Sequence, residues 1–89
     1  VAVTFEPEKN ARNIAERGLP FDLAERLDWA TAQVKQDTRR DYGEIRLQVL
    51  GLIDGSLYMA VVTPRGGDMR IISLRKASRK EATLYDKQL

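Results

Sequence analysis

The stretch IRLQVLGLIDGSLYMAVVTPRGGDMRIISLRK, residues 45–76, decides how this 89-residue chain folds. Ile45, Leu47 and Val49 alternate with Arg46 and Gln48, the period of a strand with one buried face. The run then turns apolar on both sides through Ile53, as expected where a strand end is buried on both faces. Asp54-Gly55 is a strong two-residue hairpin signal. Ser56 to Thr63 returns as a second strand. Arg65-Gly66-Gly67-Asp68 turns the chain again, and Met69 to Lys76 forms a third strand. Connections this short make consecutive strands antiparallel neighbours.

Upstream, Ala32, Val34 and Gln36 alternate within Thr31 to Asp37, which predicts a fourth, half-exposed strand. A polar loop, Thr38 to Gly43, joins it to the first. Further back, Phe21, Ala24 and Leu27, with Trp29, mark a short helix with apolar residues three apart. Before it, Glu6-Pro7-Glu8 opens a longer helix: proline suits the first turn and acidic side chains suit the positive helix N-terminus. Ala11, Ile14 and Ala15 form its apolar stripe, and Gly18 ends it. The stripe predicts that both N-terminal helices pack on one face of the sheet. Val1 to Phe5 reads as a short leading strand. Downstream, Ser78 and Glu81 have capping-box spacing for a last helix, Ser78 to Lys87. The expected architecture is α+β over a single domain, 1–89. It runs strand, two helices, a four-stranded antiparallel meander and a C-terminal helix.

Composition narrows the chemistry. Fifteen Lys and Arg face thirteen Asp and Glu, a formal charge of +2. The distribution is uneven: from Arg65 onward there are seven basic and three acidic residues. A basic C-terminal third suits a phosphate-bearing partner. The chain has no Cys and no His. A thiolate or imidazole zinc site, a Ser-His-Asp triad and a disulfide are therefore ruled out. No P-loop or dinucleotide fingerprint occurs, and no apolar run reaches the length of a membrane span. These features fit a soluble cytoplasmic domain with no membrane contact. Arg, Lys, Glu, Asp and Tyr remain, an inventory suited to phosphate chemistry on RNA. Arg forks pair with two phosphate oxygens and stabilise the charge of a pentacoordinate transition state. The same residues would equally serve a solvated basic face or a module that binds nucleic acid without cutting it.

A resemblance sharpens this reading. Phe5, Pro7, Lys9, Asn13, Gly18 and Phe21, then Asp41-Tyr42-Gly43-Glu44-Ile45-Arg46, Gly51 and Asp54-Gly55 are similar to the BrnT-type toxins of bacterial type II toxin–antitoxin pairs, which resemble RelE ribonucleases in fold. The densest likeness runs through Thr63-Pro64-Arg65-Gly66-Gly67 and Arg70 to Glu81. The chain departs from the family pattern at Glu16-Arg17-Gly18, where Lys-His-Gly is usual, at Phe5-Glu6, where Trp-Asp is common, and at Val62, where Tyr is common. The resemblance implies an endoribonuclease that needs no metal or other cofactor. It also implies a hetero-oligomer with a small BrnA-type ribbon-helix-helix antitoxin, through which alone it would meet DNA. The candidate catalytic residues are Arg65 and Arg75 to hold the phosphate, Lys76 or Arg79 for the leaving oxygen, and Glu44 as general base. Lys9, Tyr42 and Lys80 are the candidate substrate contacts. The alternative is a catalytically weak relative that acts as a corepressor with its antitoxin, a view favoured by Arg17 in place of the family His.

Overall fold

The computed structural model describes residues 2–87. Its elements are β1 (Val3–Phe5), α1 (Pro7–Arg17), a 3₁₀ helix (Phe21–Arg26), β2 (Gln33–Gln36), β3 (Leu47–Ile53), β4 (Ser56–Arg65), β5 (Asp68–Lys76) and α2 (Arg79–Lys87). They build one five-stranded sheet in the order β1-β5-β4-β3-β2. Strands β2 to β5 form the expected antiparallel meander. The leading strand closes the far side by pairing parallel to β5, Val3 opposite Met69. Val1, read as part of that strand, lies outside the described residues.

The two hairpins follow from their turn residues. Asp54 and Gly55 take φ of 50° and 83°, and Gly66 and Gly67 take 55° and 91°. Two successive positive φ values match the right-handed strand twist, and glycine adopts them without strain. Ile45, expected to open β3, instead precedes it and is 58% exposed.

One sheet face carries the main core. Val49, Ile53, Ala60, Val62, Ile71 and Leu74 meet Phe21, Ala24 and Leu27 there, all buried. The three-residue spacing of the last three residues has a specific cause. A 3₁₀ helix makes three residues per turn, so positions i, i+3 and i+6 eclipse along one side. Phe5 adds an edge-to-face contact to Phe21, with centroids 5.8 Å apart. Ile71 and Leu74 are three apart on one strand, yet both are fully buried. A register shift at Val61/Val62 explains this: Val61 opposes Ser73 and Val62 opposes Ile71, so Ile72 is the extra residue of a bulge.

The packing of α1 corrects the sequence reading. Its presumed apolar stripe, Ala11, Ile14 and Ala15, is exposed, and its one buried residue is Asn13. β1 ends opposite Ile71, so the edge of β5 beyond that point has no strand partner. The Asn13 carboxamide takes that place. Its Nδ2 donates to the Leu74 carbonyl at 2.9 Å, and its Oδ1 accepts from the Leu74 amide at 3.4 Å. An amide side chain thus continues the ladder, and leaving those buried backbone groups bare would cost about 1–3 kcal/mol each.

The other sheet face is covered only in part. Tyr85 of α2 is buried against Leu50 and Met59. Its hydroxyl donates to the Thr31 carbonyl at 3.1 Å. The capping box forms as expected: the Ser78 amide donates to Glu81 Oε1 at 2.8 Å and the Glu81 amide to Ser78 Oγ at 3.1 Å. Beyond Met59, toward the 65–68 turn, this face is left open by α2.

Candidate functional site

Register places the arginines. Val62 pairs with Leu47 on one side and Ile71 on the other, and all three side chains point to the main core. The adjacent positions, Arg46, Thr63 and Arg70, therefore form a cross-strand row on the open face. Arg65, two residues beyond Thr63, shares that face at the turn. Three arginines, one just before β3, one on β4 and one on β5, thus surround one buried threonine, whose hydroxyl donates to the Ile45 carbonyl at 2.7 Å.

Carboxylates at the rim hold these arginines. Glu44 bridges two of them: Arg46 Nε lies 3.3 Å from Oε2 and Arg65 Nη2 lies 3.4 Å from Oε1. Arg46 also stacks on the Tyr42 ring, 4.2 Å from its centroid. Arg70 Nη1 meets Glu6 Oε1 at 3.2 Å, while its buried Nε has no partner. Partial burial pushes the Glu44 carboxyl up, but hydrogen bonds and charge from Arg46 and Arg65 outweigh it and leave it below the usual carboxylate range. Glu44 is ionised at neutral pH.

A second layer lies in the loop between β2 and β3. Asp37 is buried, and its carboxylate accepts from Arg39 Nε at 2.8 Å, Arg39 Nη2 at 2.7 Å, the Arg39 amide at 3.2 Å and the Tyr42 hydroxyl at 3.1 Å. The Arg39 side chain above all holds the Asp37 carboxyl far below its ordinary value, against the upward push of burial. Arg39, Arg40, Tyr42 and Arg46 line an open cavity of about 390 Å³.

The candidate residues do not form one cluster. Arg65, Glu44 and Tyr42 come together, joined by Arg46 and Arg70. Arg75 sits at the other end of the ladder: Arg65 pairs with Asp68, seven residues before it along β5. At strand rise that is about 23 Å between backbones, so a single phosphate held by Arg65 and Arg75 together is not supported. Arg75 is instead clamped by Glu81, at 2.7 and 2.8 Å. Its cation is stabilised chiefly by that hydrogen bonding, opposed by partial burial and, to a smaller extent, by the charge of Arg39. The same clamp lowers Glu81 to about 2. Lys76, the next residue on the strand, points to the opposite face and is exposed. Arg79 and Lys80 are exposed on the first turn of α2, and the anion there, Glu81, is taken by Arg75. Lys9 lies elsewhere, in a cleft of about 220 Å³ between α1 and β5 shared with Arg12, Arg17 and Ser73.

Sequence reasoning missed Arg46, Arg70 and Asp37 as site members. The strand assignments held the signal for the first two, since Arg46 and Arg70 alternate with core positions on strands that flank β4. Nothing local marks Asp37, whose role depends on the loop folding back through an Asp37 amide to Arg46 carbonyl bond of 2.7 Å.

These features define a small α+β protein with a five-stranded sheet, one face packed on helices and the other carrying an arginine cluster. The chain belongs to the BrnT family: residues 5–81 match the family described as the ribonuclease toxin, BrnT, of type II toxin–antitoxin systems. It is also similar to the crystal structure of the Brucella abortus ribonuclease toxin BrnT, with 27% identity and a TM-score of 0.69 over 89% of this chain and 100% of that one. No curated protein matches it significantly. The family assignment makes this chain the toxin side of a pair and implies an antitoxin partner.

Proposed function

We propose that this chain is a RelE-like endoribonuclease whose reacting phosphate lies over Arg46, Arg65 and Arg70. The observation that carries this is the row of three arginines from β3's approach, β4 and β5 on one open face, with Arg46 and Arg65 bridged by the Glu44 carboxylate and Arg70 paired with Glu6. The 2′-hydroxyl of the substrate attacks the adjacent phosphorus, the O2′–P bond forms and the P–O5′ bond breaks. Glu44 accepts the hydroxyl proton and solvent water protonates the leaving 5′ oxygen. The products are a 2′,3′-cyclic phosphate and a 5′-hydroxyl. The arginine forks lower the barrier by stabilising the pentacoordinate phosphorane, where negative charge is greatest. Glu44, ionised but a weak base, contributes less than the arginines. No step needs a metal ion. Arg17, which replaces the family His, lines the α1 cleft rather than this cluster, so its presence is compatible with activity.

In the cytoplasm, a BrnA-type antitoxin would neutralise this face with carboxylate or apolar groups, since facing like charges cost affinity. The test is RNA cleavage by purified, antitoxin-free protein in excess EDTA, with analysis of the product ends. A cyclic phosphate on the upstream fragment is expected. A folded chain that leaves RNA intact with and without ribosomes would replace this reading by the corepressor one.

A further inference from the structure

The cavity in the β2–β3 loop is not needed to hold the reacting phosphate. Its lining is nevertheless built for an anion. Arg39, Arg40 and Arg46 supply three guanidinium groups around about 390 Å³, a volume within the range of small-ligand sites. Each is held or freed in a different way. Arg39 spends its Nε–H and one Nη2–H on Asp37, which fixes the plane of its guanidinium; the side chain is still 67% exposed, so its other donors face outward. Arg40 makes no ion pair among the described residues. Arg46 is shared, since it lies over Tyr42 in the cavity and also against Glu44 of the reaction site.

Asp37 explains why the loop keeps this shape. A carboxylate with a side chain 1% exposed is costly unless fully paired. Here it is paired by the Arg39 fork, the Arg39 amide and the Tyr42 hydroxyl, so one buried anion sets both a cation and an aromatic ring. The Tyr42 hydroxyl is spent on that bond, which leaves the ring to act through its face.

Resting on the ribonuclease reading, we infer that Arg39, Arg40, Tyr42 and Arg46 form a second phosphate subsite, which takes a flanking phosphodiester of single-stranded RNA next to the cleaved one, with Asp37 as its positioning residue. Arg46 touches both sites, so the two phosphates are neighbours along one strand. The substrate class follows: a single strand of several nucleotides, since a paired helix could not lay adjacent phosphates into a recessed loop and the turn beside it.

The experiment uses the whole chain and a 12-nucleotide single-stranded RNA with 2′-O-methyl groups, which binds but cannot be cut. Kd is measured by fluorescence anisotropy across a salt series. Arg39→Ala and Arg40→Ala are each expected to weaken binding several-fold and to lower the salt slope by about one. Arg40 is exposed and unpaired, so its variant folds even if the Arg39 variant is disturbed. Asp37→Asn should weaken binding, and the Asp37→Asn/Arg39→Ala pair should bind no worse than Arg39→Ala alone. A merely structural Asp37 would add its own loss. On cleavable RNA, both arginine variants should lose more kcat/KM on the 12-mer than on a dinucleotide. Unchanged Kd and salt slope in both variants overturns the subsite, as does normal RNA binding with loss of antitoxin binding, which would assign the loop to the protein partner. Wild type that binds the 12-mer with the full slope but never cuts cleavable RNA overturns the ribonuclease reading and leaves the subsite standing.

Discussion

The two ends of the open face hold the same kind of ion pair and hold it differently. At the α2 end, Arg75 meets Glu81 through two bonds of 2.7 and 2.8 Å, and Glu81 also closes the capping box. At the turn end, Arg65 meets Glu44 through one contact of 3.4 Å and its side chain is 53% exposed. A bidentate fork that also caps a helix is part of the framework. A long single contact at a turn is easily exchanged for a phosphodiester, which can accept both donors of the arginine fork. One arginine fastens the last helix to the last strand; on the proposed reading the other is the one available for substrate.

The largest expected effect breaks the comparison at the turn. Arg65→Ala should lower RNA cleavage by about 10²–10³-fold, the usual loss for one transition-state donor, with an unchanged circular dichroism spectrum and melting curve. Arg65→Lys should recover only part, because a point charge cannot replace a planar fork. At the other end the effect should move from activity to stability. Arg75→Ala leaves Glu81 half-buried without its cation, and an unfolding free energy lower by about 1–3 kcal/mol is expected in denaturant titration. Ser78→Ala removes only the cap and should cost about 1 kcal/mol. Cleavage rates per folded molecule should stay within a few-fold of wild type in both variants.

The smallest effect is on pH. Glu81 is lowered to about 2 by Arg75 and the Ser78 amide. A carboxylate depressed in the folded state stabilises fully above its unfolded value and loses that stability as pH falls through its folded value. Melting temperature should therefore fall between about pH 4.5 and about pH 2, and Glu81→Gln should flatten part of that fall. The buried Asp37 contributes a similar acid-side loss, so the flattening is incomplete.

Much of the fold was legible from short-range rules. Asp54-Gly55 and Gly66-Gly67 announced the hairpins, and Ser78 with Glu81 announced the last helix. The α1 packing was not legible. Apolar periodicity assumes that a helix docks through its carbon surface, whereas α1 docks through a carboxamide because an unpaired strand edge asks for hydrogen bonds. The apolar Ala11, Ile14 and Ala15 are left outside. For the site, the structure brings Arg65, Glu44 and Tyr42 near one another, and it places Arg75, grouped with them on the family resemblance, at the other end of the ladder. The length of the third strand already separates the 65–68 turn from Arg75. The role of Asp37 was not recoverable, since a buried charge is defined by what folds over it.

The pairing of β1 has a consequence for how the protein is made. Among the described residues its strand partner is β5, the last of the five strands in sequence order. During synthesis the first strand waits, unpaired, until residues 68–76 have left the ribosome, and the Asn13 carboxamide waits for Leu74. The sheet closes late, over nearly the full sequence separation, which slows folding. Arg46 and Arg65 precede β5 in the chain and are brought together with Arg70 only when that strand docks. A chain interrupted before that strand lacks Arg70 and the strand that aligns it with Arg65 across the sheet.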